Sequence, residues 1–266
     1  MLAFAGNSLL TRAALRDSGI DAASFTGVRL AAGALTLWLL LRVQSETVRG
    51  NWRSGLTLFA YAAAFSYAYL SLDAGAGALL LFGAVQLTMA LAGWRQGERL
   101  GSMQTLGLLA AMGGLVVLLL PGSTAPPMLG ALLMIGSGIA WGFYSLLGRG
   151  GSSPLAVTAG NFIYSLPFAL VLALAFHAQL EWSAAGILYA VLAGGLTSGI
   201  GYAMWYTAIR GLGAFQAASV QLSVPVIAAL GGALLLAEPL TLRLMVVSLI
   251  VLGGIALMLR PRAARQ

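Results

Sequence analysis

The sequence contains no cysteine and no lysine, and charged residues make up only 8% of its 266 positions. A soluble domain carries about 25% charged residues, which form the polar surface that keeps it in water. Without cysteine the chain forms no disulfide, no thiolate metal site and no cysteine nucleophile. The shortage of charge excludes a cytosolic enzyme, a nucleic-acid binder and a disordered protein.

Apolar residues take the place of the missing charge: they make up 60% of the chain, and the mean hydropathy is +0.93. A spanning helix needs about 20 apolar residues, so at roughly 26 residues per span and loop the chain has room for about ten helices. The net charge of +7 is then a signal of membrane topology rather than of nucleic-acid binding. We predict an all-α integral membrane protein with no soluble domain.

Ten apolar runs can be read along the chain, separated by charged or Gly/Pro-rich segments. The boundaries at Asp73–Gly77 and Arg210–Gly213 are either tight hairpins or helix kinks. None of the runs shows the two-residue alternation of a membrane β-barrel strand. The runs are Met1–Leu15, Ser24–Val43, Gly55–Leu72, Gly75–Trp94, Gln104–Leu120, Met128–Leu147, Leu155–Phe176, Ala184–Ile209, Leu212–Ala237 and Leu240–Leu259.

The first run is only about 15 residues long, which is short for a bilayer. It is not a signal peptide, because it lacks a basic start and contains Asn7, Ser8, Thr11 and Arg12. We expect a full spanning helix that lacks its first turn, with residues missing before Met1.

The distribution of arginine predicts the orientation. With ten spans and a cytoplasmic N-terminus, ten of the 14 arginines fall on the cytoplasmic side and four on the other side or just inside it. This asymmetry satisfies the positive-inside rule. We therefore predict a multi-pass protein of the bacterial inner membrane with both termini in the cytoplasm.

The two halves of the sequence resemble each other at a shift of about 140 residues. Each half holds five of the runs, and because five is odd, the two copies must insert with opposite orientations. Inverted repeats of this kind are typical of alternating-access carriers. We predict a five-helix repeat over residues 1–121 and a second, inverted one over 128–260, around a central cavity. The matching segments are ERL at 98–100 with EPL at 238–240, SLLTR at 8–12 with SLLGR at 145–149, VQL at 85–87 with VQL at 220–222, and the Gly-Gly pairs at 113–114 and 253–254.

The sequence lacks the residue clusters that an enzyme needs. All seven acidic residues lie in loops or at span ends, and the single histidine, His177, closes the seventh run beside a loop. No two of these groups have the spacing of a metal site or a general acid/base pair within a helix. We predict no enzyme activity, no catalytic residue, no metal and no cofactor. Because no acidic residue approaches the middle of a run, transport down the gradient of the substrate itself is favoured, with coupling to an ion as the alternative.

Polar and aromatic residues near the middle of the runs are the candidates for a substrate site. In hydrocarbon such groups either find partners across helices or line a wet cavity, and for any one of them both interpretations remain open. They are nearly absent from the fifth and tenth runs, which are therefore expected to pack at the periphery. The predicted substrate-binding residues are Asn7, Tyr61, Tyr67, Gln86, Trp141, Tyr144, Tyr202, Trp205, Gln221 and Ser223, and Pro225 is the predicted gating residue.

Arg29 lies about seven residues into the second predicted span, or about 10 Å deep. An arginine at this depth either attracts a carboxylate of the substrate or has a structural role, extending to the membrane surface or holding a helix end by hydrogen bonds. We favour the structural role.

Several motifs resemble a known family. Residues 4–15 (FAGNSLLTRAAL), residues 25–30 (FTGVRL) and the ERL and EPL turns at 98–100 and 238–240 are similar to the drug/metabolite transporter superfamily, EamA family. Within it, the YddG-type bacterial amino-acid exporters are the closest likeness. The resemblance implies export of amino acids, aromatic ones included. Such repeats often carry a proline in both the fourth and the ninth helix, whereas here only the ninth has one, at Pro225.

Taken together, the sequence and the resemblance predict an inner-membrane exporter of small organic solutes, with amino acids as the favoured class, that works by alternating access. The alternatives are an exporter of drugs, nucleobases or other metabolites and, from a different class, a membrane scaffold without transport activity. The expected partners are a small-molecule substrate and the lipid bilayer, with no nucleic acid. A monomer is favoured.

Overall fold

A computed structural model describes residues 1–95, 101–122, 124–148, 153–208 and 220–259, with the backbone alone described for 206–208. Within these ranges every regular element is a helix. The helices are α1 (Leu2–Asp17), α2 (Ala22–Val43), α3 (Trp52–Tyr69), α4 (Ala74–Arg95), α5 (Ser102–Leu119), α6 (Met128–Leu147), α7 (Pro154–Ala175), a 3₁₀ turn (His177–Gln179), α8 (Ala184–Val191), a π-helical segment (Leu192–Ile200), α9 (Gly201–Ala208), α10 (Ser223–Leu236) and α11 (Leu242–Met258).

Among the described residues, six helices are long and apolar enough to cross a membrane, and two shorter apolar helices, α10 and α11, accompany them. The prediction of an all-α, multi-pass membrane protein is confirmed at this level, whereas the count of ten spans stays a prediction. The six are Ala22–Val43, Ala74–Arg95, Ser102–Leu119, Met128–Leu147, Pro154–Ala175 and Ala184–Trp205.

Short polar side chains start several of these helices. The Asp21 carboxylate accepts hydrogen bonds from the backbone N–H groups of Ala23 and Ser24 at 2.8 and 2.9 Å, at the start of α2. Such caps satisfy N–H groups that have no partner inside the helix. They explain why the polar punctuation in the sequence coincides with the helix ends. Asn51, Ser153, Ser183 and Thr241 cap α3, α7, α8 and α11 in the same way.

The boundary at Asp73–Gly77 is a tight hairpin, because α3 ends at Tyr69 and α4 begins at Ala74. The second boundary left open by the sequence, Arg210–Gly213, lies outside the described residues.

The helices of residues 1–121 pack directly against those of residues 128–260. Helix α3 lies against α6 and α7, α2 lies against α7 and the π-helical segment, and α4 lies against α6 and α10. The two segments are therefore interleaved, and the buried centre of the molecule is formed by both.

Helices α5 and α11 form a pair at the edge of the bundle. They pack mainly against each other and otherwise against α4. In α5 only 28% of the apolar stretch is buried, compared with 67% in α4. The peripheral position predicted for the fifth and tenth spans is confirmed.

Small residues bring this pair into backbone contact. A Cβ added at Gly254 of α11 would lie 2.7 Å from both the backbone nitrogen of Ala111 and the carbonyl oxygen of Gly107 on α5. The neighbouring glycine, Gly253, has nothing within 4 Å of such a Cβ. Close approach of helix backbones through small residues is a general means of packing in membranes.

We expect Gly254→Ala to separate α5 from α11 and to lower the free energy of unfolding by about 1–3 kcal/mol. Gly253→Ala is the matched control: it adds the same methyl group into open space and should leave stability unchanged or raise it by up to about 1 kcal/mol. Thermal unfolding of the purified variants in detergent measures both. Equal midpoints for the two variants would contradict this packing.

Candidate functional site

The centre of the bundle holds a hydrogen-bonded group built around the hydroxyl of Tyr61 on α3. Its oxygen accepts hydrogen bonds from Nη2 of Arg29 at 3.1 Å and from Nδ2 of Asn7 at 3.3 Å. The hydroxyl of Tyr202 lies 3.5 Å away. These side chains come from α1, α2, α3 and α9, so one hydroxyl connects four helices. All four residues are buried.

Aromatic rings surround this hydroxyl. The Trp141 ring lies 4.8 Å from the Tyr61 ring, 4.9 Å from Tyr202 and 5.3 Å from Tyr144, measured between centroids. Phe4 packs edge-on against Tyr202 at 5.7 Å. Rings in such contacts give apolar walls with polar edges. We use the term central cluster for Phe4, Asn7, Arg29, Tyr61, Phe65, Trp141, Tyr144 and Tyr202.

A cavity of about 20 Å³ lies within the central cluster. This volume accommodates about one water molecule. Binding sites for small organic ligands have volumes of roughly 300–1,000 Å³. The cavity as it stands in this structure is therefore too small for a small organic ligand. The cavity is lined by Phe4, Asn7, Ser8, Tyr61, Phe65, Leu81, Phe82, Trp141 and Tyr202.

The π-helical segment Leu192–Ile200 runs along one side of the cluster. The hydroxyl of Thr197 donates to the carbonyl of Ala193 at 2.8 Å and lies 3.4 Å from Oδ1 of Asn7. Gly194 packs against the backbone carbonyl of Arg29 so closely that no side chain fits there. π-helical turns are rare and occur frequently at functional sites. Here the segment brings α2 next to the cluster.

Arg29 is 2% exposed, so its side chain does not extend to the membrane surface. Its guanidinium lies 5.4 Å from the centre of the Tyr61 ring and 5.0 Å from that of Phe65. Nη2 donates to Tyr61, whereas Nη1 is buried and has no hydrogen-bond partner among the described residues. One of the structural roles considered from the sequence, extension to the interface, is thereby wrong.

The structure brings most of the predicted site residues together. Asn7, Tyr61, Trp141, Tyr144 and Tyr202 belong to the central cluster, and Tyr144 also accepts a hydrogen bond from Nδ2 of Asn161 at 3.5 Å.

Trp205 and Gln86 lie next to the cluster. The Trp205 ring is 5.8 Å from that of Phe4. Gln86 is buried in α4, one helical turn after the cavity-lining Phe82.

The other predicted residues lie elsewhere. Tyr67 is half-buried, and its ring contacts Phe176 at 5.8 Å. Gln221 is half-buried just before α10, and the hydroxyl of Ser223 donates to the carbonyl of Val220 in its own turn. Pro225 is buried in the first turn of α10, just after the helical path is interrupted at Leu222. Proline is tolerated there because the first turn of a helix has unpaired N–H groups in any case.

Three members of the surroundings were not singled out by the sequence. Phe4 and Phe65 are apolar, and nothing in their type distinguishes a ring in the core from one facing lipid. Asn161 of α7 is buried and makes two hydrogen bonds. Its Nδ2 donates to the hydroxyl of Tyr144, and its Oδ1 accepts from the backbone N–H of Asn51 at 3.3 Å. An asparagine inside an apolar run was the available signal for it.

An ion-pair network closes one end of the bundle. Arg12, near the end of α1, contacts Glu238 through Nε at 3.0 Å and Asp73 through Nη2 at 3.3 Å. Its Nη1 donates to the carbonyl of Tyr69 at 3.0 Å. The other oxygen of Glu238 accepts the backbone N–H of Ala74 at 2.8 Å. The network joins α1 to the α3–α4 and α10–α11 connections, across the two repeats predicted from the sequence.

Among the described residues no group of three or more His, Asp or Glu side chains could hold a metal ion. The arrangement at the centre instead offers hydrogen-bond donors, aromatic walls and one guanidinium, which suit reversible binding of a small polar molecule.

Comparison of the sequence with known proteins gives three results. Residues 128–260 match the EamA-like transporter family. An uncharacterized protein of Pseudomonas aeruginosa is 63% identical over 268 residues, covering 100% of this chain and 93% of that protein. The uncharacterized transporter YoaV of Bacillus subtilis is 22% identical over 247 residues, covering 87% of this chain and 85% of that protein.

A crystal structure of a protein with 19% sequence identity covers 97% of this chain and 96% of its own, with a TM-score of 0.66. At this level of identity the likeness shows that the fold is shared.

We expect Glu238→Gln to lower the free energy of unfolding by about 3 kcal/mol, because it leaves the buried Arg12 without its closest carboxylate. Asp17→Asn is the control. It breaks the ion pair between Arg16 and Asp17, whose side chains are 33% and 51% exposed, respectively. We expect it to lower the free energy of unfolding by less than about 1 kcal/mol. Denaturation of the purified variants in mixed detergent micelles gives both values. A Glu238→Gln variant as stable as Asp17→Asn would contradict a closing role for the network.

Proposed function

The chain belongs to the EamA-like transporter family of the drug/metabolite transporter superfamily, and from that premise we propose that it exports amino acids, aromatic ones included, across the bacterial inner membrane. Membership of the family makes it a multi-pass membrane transporter. The substrate class, the direction of transport and the membrane are the content of the proposal.

The observation that carries the proposal is the central cluster, which combines aromatic walls with hydrogen-bonding groups at the middle of the bundle. Trp141, Tyr144 and Tyr202 offer flat apolar surfaces with polar edges, which tolerate side chains of different shapes. Asn7 offers an amide that both donates and accepts, as the zwitterionic part of an amino acid requires. The carboxamide of Gln86 is buried on the adjoining face of α4.

The proposed mechanism is alternating access by two inverted five-helix repeats with ten spans in all. The Arg12 network supports it because it joins the two repeats at one end of the bundle, where breaking two ion pairs would release α1. The small volume of the cavity supports it as well, since a carrier must pass through a state in which neither side is open. In this proposal Pro225 and the interruption at Leu222 let α10 bend.

The proposed orientation has both termini in the cytoplasm, supported by the ten-to-four division of the arginines. With that orientation the Arg12 network lies on the outer side of the membrane. The proposed oligomeric state is a monomer.

The direct test is counterflow in liposomes that contain the purified protein. Vesicles preloaded with one unlabelled solute are placed in a trace of the labelled solute, for a panel of amino acids, nucleobases and cationic drugs. We expect accelerated exchange of amino acids, with the aromatic ones among the best. Exchange of nucleobases or drugs alone would support the alternative exporter, and exchange of no solute would support a membrane scaffold.

A second prediction concerns the residues of the site. We expect Trp141→Ala to change the order of preference among amino acids, because it removes a wall of the cavity. We expect Asn7→Ala to weaken transport of all of them several-fold, because it removes the amide proposed to bind their zwitterionic part. Trp52→Ala is the matched control: that ring packs against Tyr164 at 4.8 Å outside the central cluster. Counterflow with the same panel measures all three. Trp141→Ala and Asn7→Ala variants that are folded and transport every amino acid like the wild type would contradict the assignment.

A further inference from the structure

A positive charge is buried at the centre of the bundle without a negative partner. Arg29 is 2% exposed, and none of the ion pairs in the described part of the chain includes it. Taking an unpaired ion out of water carries a large free-energy penalty, and arginine stays protonated in proteins. Proteins retain such an arrangement inside a membrane chiefly where it has a function.

The guanidinium is only partly satisfied by the protein. Nη2 donates to the hydroxyl of Tyr61, and two rings, Tyr61 and Phe65, lie under the charge. Contacts with ring faces attract a cation but leave its N–H groups without acceptors. Nη1 is buried and has no hydrogen-bond partner in the part of the chain that the structure describes. The side chain therefore has a buried donor that no acceptor among the described residues satisfies.

Arg29 lies directly behind the wall of the central cavity. Tyr61 and Phe65, the two rings under its charge, are both lining residues of that cavity. The Tyr61 oxygen accepts from Arg29 and from Asn7, which uses both of its lone pairs. The remaining proton of Tyr61 is then available to Tyr202 or to an acceptor in the cavity. The group as a whole presents donors and positive charge, which match an anion.

We propose that Arg29 binds the carboxylate of the transported solute. When the central cluster opens, the carboxylate replaces the Tyr61 hydroxyl beside Nη2, engages the free Nη1, and forms the two parallel hydrogen bonds that arginine makes with carboxylates. The solute thus supplies the missing counter-charge, and the site selects molecules that carry a carboxylate. This inference rests on the proposed function, because it assumes that a solute enters the cluster.

Two probes of nearly equal size test the inference on the wild-type protein. L-phenylalanine has a carboxylate, and L-phenylalaninamide has a neutral amide in its place. In counterflow we expect the half-saturation concentration of the amide to exceed that of the acid by roughly ten- to hundredfold, as for loss of a hydrogen-bonded charge. Equal half-saturation concentrations would overturn the inference, and this comparison does not depend on the folding of any variant.

The variant Arg29→Gln separates binding from a structural role. We expect it to raise the half-saturation concentration of phenylalanine roughly ten- to hundredfold and to leave that of the amide within about twofold, so that their ratio approaches one. Arg29→Lys keeps the charge and should keep part of the discrimination. Arg42→Gln is the matched control, since it removes the same charge from the exposed end of α2 and should leave the ratio unchanged.

An Arg29→Gln substitution that raises the half-saturation concentrations of both probes by the same factor would show a structural role and overturn the inference. Exchange of amino acids by the wild type would still support the proposed function. If the wild type exchanged none of the solutes in the panel, the proposed function itself would be contradicted.

Discussion

The hydroxyl of Tyr61 is the point on which the centre of this protein depends. It accepts hydrogen bonds from Arg29 and Asn7 and lies within 3.5 Å of the hydroxyl of Tyr202. Inside a membrane no solvent replaces a lost partner, so each of these polar side chains depends on the others. The hydroxyl thereby fixes the positions of α1, α2, α3 and α9 relative to one another and keeps a cation at the core.

Backbone contacts through glycine make this arrangement possible. Gly194 of the π-helical segment touches the carbonyl of Arg29, and Gly254 touches the α5 backbone. Apolar side chains gain nothing from leaving lipid for the bundle interior, so close packing and hydrogen bonds must hold the helices together. The same property allows movement, because small residues leave few interlocking side chains to disengage. A carrier needs both a tight closed state and a path to an open one.

Much of the fold was predictable from the sequence because the membrane makes the pattern simple. Long apolar runs predict helices, and short polar residues such as Asp21 and Asn51 mark where they begin. The peripheral place of α5 and α11 followed from their lack of polar side chains. The inverted orientation of the two repeats was inferred from the odd number of runs in each half, and it stays a prediction.

The site was predictable only in part, because depth in the membrane says nothing about the direction in which a side chain points. Tyr61 and Tyr67 both lie in α3, but six residues correspond to about 600° of rotation, so they face directions about 120° apart. Tyr61 is in the central cluster, and Tyr67 contacts Phe176 instead. The same limit applies to Arg29. The sequence indicates its depth in the membrane but not its neighbours, Tyr61 and Phe65, whose rings lie beneath the guanidinium.

The most direct measurement of whether solutes enter the central cluster is the fluorescence of Trp141 alone. The chain has six tryptophans, and phenylalanine can replace the other five in a variant whose exchange activity is first verified. If the account is right, adding an exchanged amino acid shifts the emission of Trp141 with saturation, and Asn7→Ala in the same background weakens that response. Emission that stays constant at concentrations that saturate exchange would contradict it.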